Sequence, residues 1–268
     1  MSAERLDRTL VTRQLVDTRT KAQRLIADGK VSVNDVVVTK ASTPVLETDQ
    51  IVLLESDSDV GRGAKKLRHA LKHWSIPVEG LVSADLGAST GGFSQVLIEE
   101  GASSVVAIDV GHDQLHPVVA EDSRVINIEG QSVLDLSAEW WASRALPQPV
   151  GIVVADLSFV SLQKVIPVAV STFGVHSDYV FLVKPQFEVG KGRTNHGVVK
   201  DVPRRDQSIR DVAQAFIDAG LPVRGVIASP ITGERGNVEY LMLASNDSQR
   251  YPAEWEGRIP VTNEEATS

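Results

Sequence analysis

The stretch Asp85-Leu-Gly-Ala-Ser-Thr-Gly-Gly-Phe93 decides the fold. It follows an apolar strand pattern at 81–86 and opens a helical pattern at 92–100. Gly87 lets the chain turn tightly out of the strand. Gly91 and Gly92 are expected to leave room for a ligand near the backbone, with helix N–H groups aimed at it. Ala88, Ser89, Thr90 and Phe93 complete the loop. Asp109, followed by Val110, ends the next strand pattern, 22 residues after Gly87. From that place an acid reaches ribose hydroxyls in Rossmann-like sheets.

Outward from this loop, strand-like and helix-like patterns alternate from about residue 62 to 245. Strand patterns lie at 81–86, 104–109, 124–128, 151–155, 179–183, 223–228 and 239–244. Helical patterns at 92–100, 163–173 and 203–219 fall among them. This alternation predicts a doubly wound α/β sheet. No long helix separates the last two strands, so they should pair antiparallel at one edge. Residues 4–55 read as a small α+β module. Its helical patterns, 5–13 and 19–28, carry Leu6, Leu10 and Val11, then Ala22, Leu25 and Ile26. Thr18 fits an N-cap and Gly29 a C-cap. Strand patterns follow at 31–33, 36–38 and 51–54. The expected organisation is a module over 1–55, a linker over 56–61, the α/β domain over 62–245 and a polar tail over 246–268. The tail is expected to fray, with Trp255 as its docking candidate.

The composition of the 268-residue chain is ordinary for a globular protein, with 42% hydrophobic and 23% charged residues. Cysteine is absent, which excludes disulfides, cysteine-held zinc, iron–sulfur clusters and thiol catalysis. No apolar run approaches the roughly 20 residues that span a bilayer. The start, MSAERLDRTL, lacks the apolar core of a signal peptide. The expectation is a soluble cytoplasmic protein with no membrane partner and no metal; a monomer is assumed. A net charge of −8 argues against nucleic acid when taken whole. The charge is segregated, however, and patches matter more than totals. Residues 61–72 hold five basic side chains (Arg62, Lys65, Lys66, Arg68, Lys72) and no acid. Residues 184–210 hold seven basic side chains against three acids.

The cofactor follows from the loop's spacing. A dinucleotide fingerprint needs G-x-G-x-x-G, and Ser89 stands where its second glycine belongs. The spacing D-x-G-x-x-x-G-G suits class I methyltransferases, which bind S-adenosylmethionine there. Four polar residues then stand where core patterning would not place them. Asp156 ends the apolar run 151–155, Lys184 ends 179–183, Glu239 opens the last strand, and Lys66 lies in the basic helix ahead of the sheet. Each alone has a bland reading as cap, surface lysine, strand-end charge or solvated face. Together they suit methyl transfer to a ribose hydroxyl, a poor nucleophile until deprotonated. A lysine can take that proton when partial burial and a second lysine disfavour its ammonium form. Lys184 is the expected base and Lys66 the second cation. Asp156 and Glu239 orient them, although their charge opposes that depression. Base N-methyltransferases usually carry Asn or Asp before Pro-Pro-aromatic, where this chain has Asp156-Leu-Ser-Phe159, so a hydroxyl acceptor is favoured.

The chain resembles the TlyA, or hemolysin A-like, family over about residues 4–245. Arg5-Leu-Asp7, the run 19–26 and Gly29-Lys-Val-Ser-Val-Asn34 resemble an α-L RNA-binding domain. Arg62-Gly-Ala-Lys-Lys-Leu67, Asp85–Phe93, Asp109-Val-Gly111, the runs 155–161 and 182–192, Ser229-Pro230 and Gly236-Asn-Val-Glu-Tyr240 resemble FtsJ-type methyltransferases. The resemblance implies a Rossmann-like class I methyltransferase with a small N-terminal RNA-binding domain. It also implies a Lys-Asp-Lys-Glu tetrad at Lys66, Asp156, Lys184 and Glu239. The implied reaction is 2′-O-methylation of a cytidine in ribosomal RNA within assembled subunits. Arg5, Arg8, Arg19, Arg24, Arg62, Lys65, Arg68, Lys191 and Arg193 are the expected RNA contacts. Two stretches depart from the family pattern. Gly130-Gln-Ser-Val-Leu134 stands where Arg-Thr-Asn-x-Arg is common, and Asp59-Val-Gly61 where an aromatic residue and a serine are frequent. Two rival readings stay open: a methyltransferase on a base, protein or small molecule, and a non-catalytic RNA-binding or hemolysin-like protein.

Overall fold

The computed structural model describes residues 4–260, apart from positions 14, 17, 28, 35, 54–58, 191–196, 234, 235 and 254 and the side chain of Arg24. The chain divides into two compact units, Met1–Ser58 and Asp59–Ser268.

The first unit runs β1 (Glu4–Arg5), α1 (Leu6–Thr12), α2 (Arg19–Ala27), β2 (Val31–Val33), β3 (Val36–Val37), β4 (Pro44–Val45) and β5 (Ile51–Leu53). Leu6 and Leu10 are one helical turn apart, so they share a face of α1. They meet Ala22, Leu25 and Ile26 of α2, with Val16, Val31 and Val45, in one core. The Thr18 hydroxyl accepts the Lys21 N–H at 3.2 Å and so starts α2. Gly29, at φ +69°, ends it in the left-handed conformation that glycine adopts without strain. β2 pairs antiparallel with both β3 and β5. β1 and β4 form a two-residue ladder of their own, too short to show a period in the sequence.

The second unit begins α3 (Gly63–Trp74), β6 (Val82–Leu86), α4 (Gly92–Glu99), β7 (Ser104–Ile108), α5 (Pro117–Ala120) and β8 (Val125–Ile128). A 3₁₀ turn at Val133–Asp135 leads to α6 (Ala138–Ser143), β9 (Val150–Ala155), α7 (Leu162–Phe173), β10 (Asp178–Val183) and α8 (Pro185–Glu188). The unit closes with α9 (Val202–Asp218), β11 (Val223–Ala228) and β12 (Tyr240–Ala244). One seven-stranded sheet has the order β11-β12-β10-β9-β6-β7-β8. From β10 to β8 all neighbours are parallel, and β12 lies antiparallel between β10 and β11. Strand order reverses between β6 and β9, so a crevice opens at their carboxyl ends. Residues alternate between two cores. Ile152, Val154, Val180 and Leu182 face α3 and α4, whereas Val153, Ala155, Tyr179 and Phe181 face α7 and α9. Burial on both faces is why these strands read as unbroken apolar runs.

Two expectations change. Residues 59–61, expected in the linker, pack on the second unit. Asp59 accepts from Arg68 at 3.0 Å, and the Val60 N–H donates to Gln95 at 2.7 Å. The tail expected to fray is anchored through Ile259. The Trp255 N–H donates to the Val223 carbonyl at 2.9 Å, and Trp255 and Ile259 pack on the core. Tyr251 is buried, with its hydroxyl on Asp178 at 3.0 Å. Covering an edge strand in this way removes unpaired backbone groups from solvent. Residues 261–268 lie outside the described residues.

Candidate active site

β6 ends at the crevice, and the loop after it meets the loop after β9. Gly87 has φ +83°, and a Cβ there would meet Leu157 Cδ2 at 2.7 Å and the Asp156 carbonyl oxygen at 3.1 Å. Only glycine fits both the angle and the approach. The room made by Gly91 and Gly92 is a correction to expectation. A Cβ on Gly91 would strike Leu115 and Val119, and one on Gly92 would press the Ala64 nitrogen at 3.1 Å. The space that a Cβ would fill is taken by neighbouring chain, chiefly α3 against α4, while Gly92 also lines a cavity at the crevice. Asp109 accepts the Ser89 N–H at 2.9 Å and the Gly111 N–H at 2.7 Å. It ties the glycine loop to the end of β7 and lines a 460 Å³ cavity with Val110, Gln131, Ser132 and Leu134. A second cavity, of 180 Å³, is lined by Ala88, Thr90, Phe93 and Lys184. The two share Gly87, Ser89, Asp156 and Ser158, and form one groove along the crevice.

Asp85, near the end of β6, is fully buried and lines neither part of the groove. Its Oδ2 accepts the Ser94 hydroxyl at 2.6 Å, and its Oδ1 has no hydrogen-bond partner among the described residues. Burial pushes the carboxyl up to about 7, against the Ser94 hydrogen bond, and repulsion from Asp156 and Asp109 adds to the rise. The folded chain therefore holds a proton that the unfolded chain releases near pH ~4. Stability should fall as pH rises from about 4 to about 7, by about 1.4 kcal/mol per unit, and level off above. Asp85→Asn removes the titration. Urea midpoints of the variant and the wild type should diverge across that window; parallel profiles would contradict the assignment.

Four elements bring four charged side chains together. Lys66 comes from α3, Asp156 follows β9, Lys184 follows β10, and Glu239 precedes β12. Lys184 Nζ is 2.6 Å from Asp156 Oδ1, Lys66 Nζ is 3.9 Å from Asp156 Oδ2, and Lys66 Nζ is 2.7 Å from Glu239 Oε2. Charges thus alternate along a row. All four side chains are at most one-fifth exposed, Asp156 the most at 20%. Lys184 also donates to the Ser158 hydroxyl at 2.9 Å. The row borders a third cavity, of 510 Å³, lined also by Arg62, Phe159, Gln186, Phe187 and Asn237. Asp156, Ser158 and Lys184 stand on both the groove and this cavity.

Several residues of the site have no role assigned from the sequence, although Phe159, Glu188 and Asn237 fall within the runs that carry the resemblance. Phe159 is 92% exposed, holds φ +66° and lies 5.2 Å from the Phe187 ring, at the mouth shared by the groove and the outer cavity. A bulky residue in the left-handed region is held there by its surroundings. Glu188 accepts the Ser161 hydroxyl at 2.6 Å and the Leu162 N–H at 2.8 Å, tying the loop after β9 to the segment carrying Lys184. Asn237 holds Gly197 at 2.9 Å and Val199 at 3.3 Å beside the site. Gly233 leaves space for the Glu239 carboxylate, since a Cβ would come 2.0 Å from Oε1.

The expected RNA contacts divide by unit. In the first, Arg8 is exposed, Arg5 and Arg19 both bind Asp7, and the Arg24 side chain lies outside the described part. In the second, Arg62 is exposed and donates to the Thr232 carbonyl at 2.6 Å, and Lys65 is half-buried. Arg68 is held by Asp59 and Glu99, so two carboxylates already balance its charge. Lys191 and Arg193 lie outside the described residues. Among the described residues no group of three or more His, Asp or Glu side chains is arranged to hold a metal, and no helix is long and apolar enough to cross a membrane.

Residues 60–246 match the FtsJ-like methyltransferase family, and residues 4–51 match the S4 domain. The 16S/23S rRNA (cytidine-2'-O)-methyltransferase TlyA of Mycobacterium tuberculosis is 42% identical over 250 residues, covering 92% of this chain and 91% of that protein. Hemolysin A of Brachyspira hyodysenteriae is 35% identical, covering 88% of this chain and 98% of that one. The solved "putative hemolysin" of Streptococcus thermophilus superposes with TM-score 0.69 at 31% identity, covering 92% and 90% of the two chains. The chain belongs to the TlyA family of FtsJ-like methyltransferases and carries an S4 domain ahead of its methyltransferase domain.

Proposed function

We propose that the protein methylates the 2′-hydroxyl of a cytidine in ribosomal RNA, using S-adenosylmethionine. The observation that carries this reading is the row Lys184–Asp156–Lys66–Glu239 at the border of groove and outer cavity. The groove fits the cofactor. Asp109 keeps lone pairs for ribose hydroxyls, and Val110 and Leu134 offer apolar surface. Gly87, Ser89, Thr90 and Asp156 would hold the polar end. When bound, the cofactor supplies a methyl group on an electrophilic sulfonium.

The protein's own groups do the rest. Lys184 takes the hydroxyl proton, and its contacts with Asp156 and Ser158 fix its direction. Positioned proton transfer of this kind contributes about 10²–10⁴-fold. The ammonium that forms is balanced by Asp156. Lys66, held by Glu239 3% exposed to solvent, keeps Asp156 from turning away and adds a fixed positive charge beside the developing alkoxide. Exposed Arg62, with half-buried Lys65, offers phosphate contacts at the rim.

Phe159 presents a ring face for a nucleobase at that rim. Phe159→Ala should raise the KM for ribosomal subunits roughly tenfold, because one base–aromatic stack is worth about 1–3 kcal/mol. Its melting temperature should not move, since the ring is 92% exposed. An unchanged KM would remove the platform. The function itself is tested by transfer of tritiated methyl groups from the cofactor to purified ribosomal subunits, followed by digestion to nucleosides. Label in 2′-O-methylcytidine is expected. Label on a base, or none, would overturn the reading.

A further inference from the structure

Asp7, in the first turn of α1, is completely buried, yet all its side-chain partners reach it from the surface. Its Oδ1 accepts Arg5 Nε at 3.0 Å. Its Oδ2 accepts Arg5 Nη2 at 3.1 Å, Arg19 Nε at 2.9 Å and Gln23 Nε2 at 2.9 Å. The Arg5 and Arg19 side chains stay 43% and 48% exposed, against 0% for Asp7. The Arg5 hydrogen bond does most to draw the Asp7 carboxyl well below the usual carboxylate range, against the opposing effect of burial, and Gln23 and Arg19 add to it.

Pairing with the half-exposed arginines offsets the cost of burying the carboxylate and adds little beyond that. Ion pairs to half-exposed arginines are worth little, and burying a carboxylate is costly unless it is paired. What the arrangement does produce is order. Two long, flexible side chains are pinned by their Nε edges to one rigid carboxylate. Among the described residues each guanidinium keeps N–H groups without a partner on its outer edge, the planar fork that matches phosphate oxygens. We propose that Asp7 is a positioning residue that sets Arg5 and Arg19 side by side as a clamp for the RNA phosphodiester backbone. The proposal rests on the RNA reading above and deepens it.

A paradox of charge makes it testable. Arg5, Arg19 and Asp7 together carry one net positive charge, and Asp7→Asn raises that to two. Counting charge alone, the variant should bind RNA more tightly and with a steeper salt dependence. Positioning requires the opposite. In the full-length chain, Asp7→Asn should weaken binding of a short fluorescein-labelled RNA duplex roughly tenfold, a free energy of about 1.4 kcal/mol, with a shallower salt slope. The KM for ribosomal subunits should rise by a similar factor while kcat holds. The pair Arg5→Lys with Arg19→Lys keeps both charges, loses the forks and should weaken binding as much. In that background Asp7→Asn should add less than about twofold, because it acts through the arginines.

Tighter or unchanged binding in Asp7→Asn overturns the proposal. So does an undiminished effect of Asp7→Asn in the double-lysine background, which would mark a purely structural role. If Asp7→Asn does not fold, the double-lysine variant decides alone, and unaltered binding there is the contrary result. Methyl incorporation by the wild type keeps the two readings separable. Its absence tells against the proposed function; its presence with unaltered duplex binding by the variants tells against Asp7.

Discussion

Lys184→Ala is expected to lower single-turnover methyl transfer by about 10³–10⁴-fold, the upper part of the range for a positioned general base, and to leave cofactor affinity within about threefold of wild type. Lys184 is the amine of the row that touches both the groove and the outer cavity. It is 11% exposed, ion-paired with Asp156 at 2.6 Å and donating to the Ser158 hydroxyl at 2.9 Å. Among the described residues no other amine has that placement, since the Lys66 ammonium is committed to Glu239 at 2.7 Å. Truncation removes the base and leaves the cavity walls and Asp109 in place, so the loss falls on chemistry rather than on binding. Isothermal titration with the cofactor and quenched-flow transfer separate the two. A variant retaining a tenth or more of wild-type turnover would take the base assignment away from Lys184.

Asp156→Asn is expected to cost about 10²–10³-fold in kcat, because one carboxylate organises both lysines. It lies between them, at 2.6 Å from one and 3.9 Å from the other. Asparagine keeps the shape and removes the charge. Its amide would present N–H groups to at least one of the lysines, leaving Lys184 without its carboxylate beside the Lys66–Glu239 pair. The effect should be strongly non-additive. With Lys184→Ala already present, Asp156→Asn should cost less than about threefold more. Full additivity would mean that Asp156 acts on its own, on cofactor or substrate, and not through Lys184.

Much of this site is visible in the sequence because parallel strands advertise their ends. An apolar run that stops at a charged residue marks the carboxyl edge, and that is how Asp156 and Lys184 stand out. Glu239 follows from topology: β12 is antiparallel, so its beginning lies at the same edge, with Tyr240 opposite Val183. Lys66 is harder, because it sits in a run of basic residues. Its burial follows from sharing a face of α3 with Gly63 and Ala70, which bring that face close to Asp156 and the core. Other features need coordinates. Phenylalanine is buried by default, so nothing in the residue type marks Phe159 as 92% exposed. Glycine-rich spacing marks the loop but does not say what fills the space, and around Gly91 and Gly92 it is Leu115, Val119 and α3. Arg68 reads as a free cation in sequence because its partners, Asp59 and Glu99, lie on either side at long range. The anchoring of the tail has the same cause, since Tyr251 and Trp255 find Asp178 and Val223 only after the sheet is assembled.

The central claim is that Lys184 takes a proton from a ribose 2′-oxygen. Ribosomal RNA assembled by ligation with a single 2′-deoxycytidine at the labelled position tests it most directly. The oxygen is then missing, whereas base, phosphates and helix are retained. The account predicts that binding stays within about twofold and that methyl transfer at that position vanishes. Transfer that persists on the deoxy substrate would place the acceptor on the base and contradict the account.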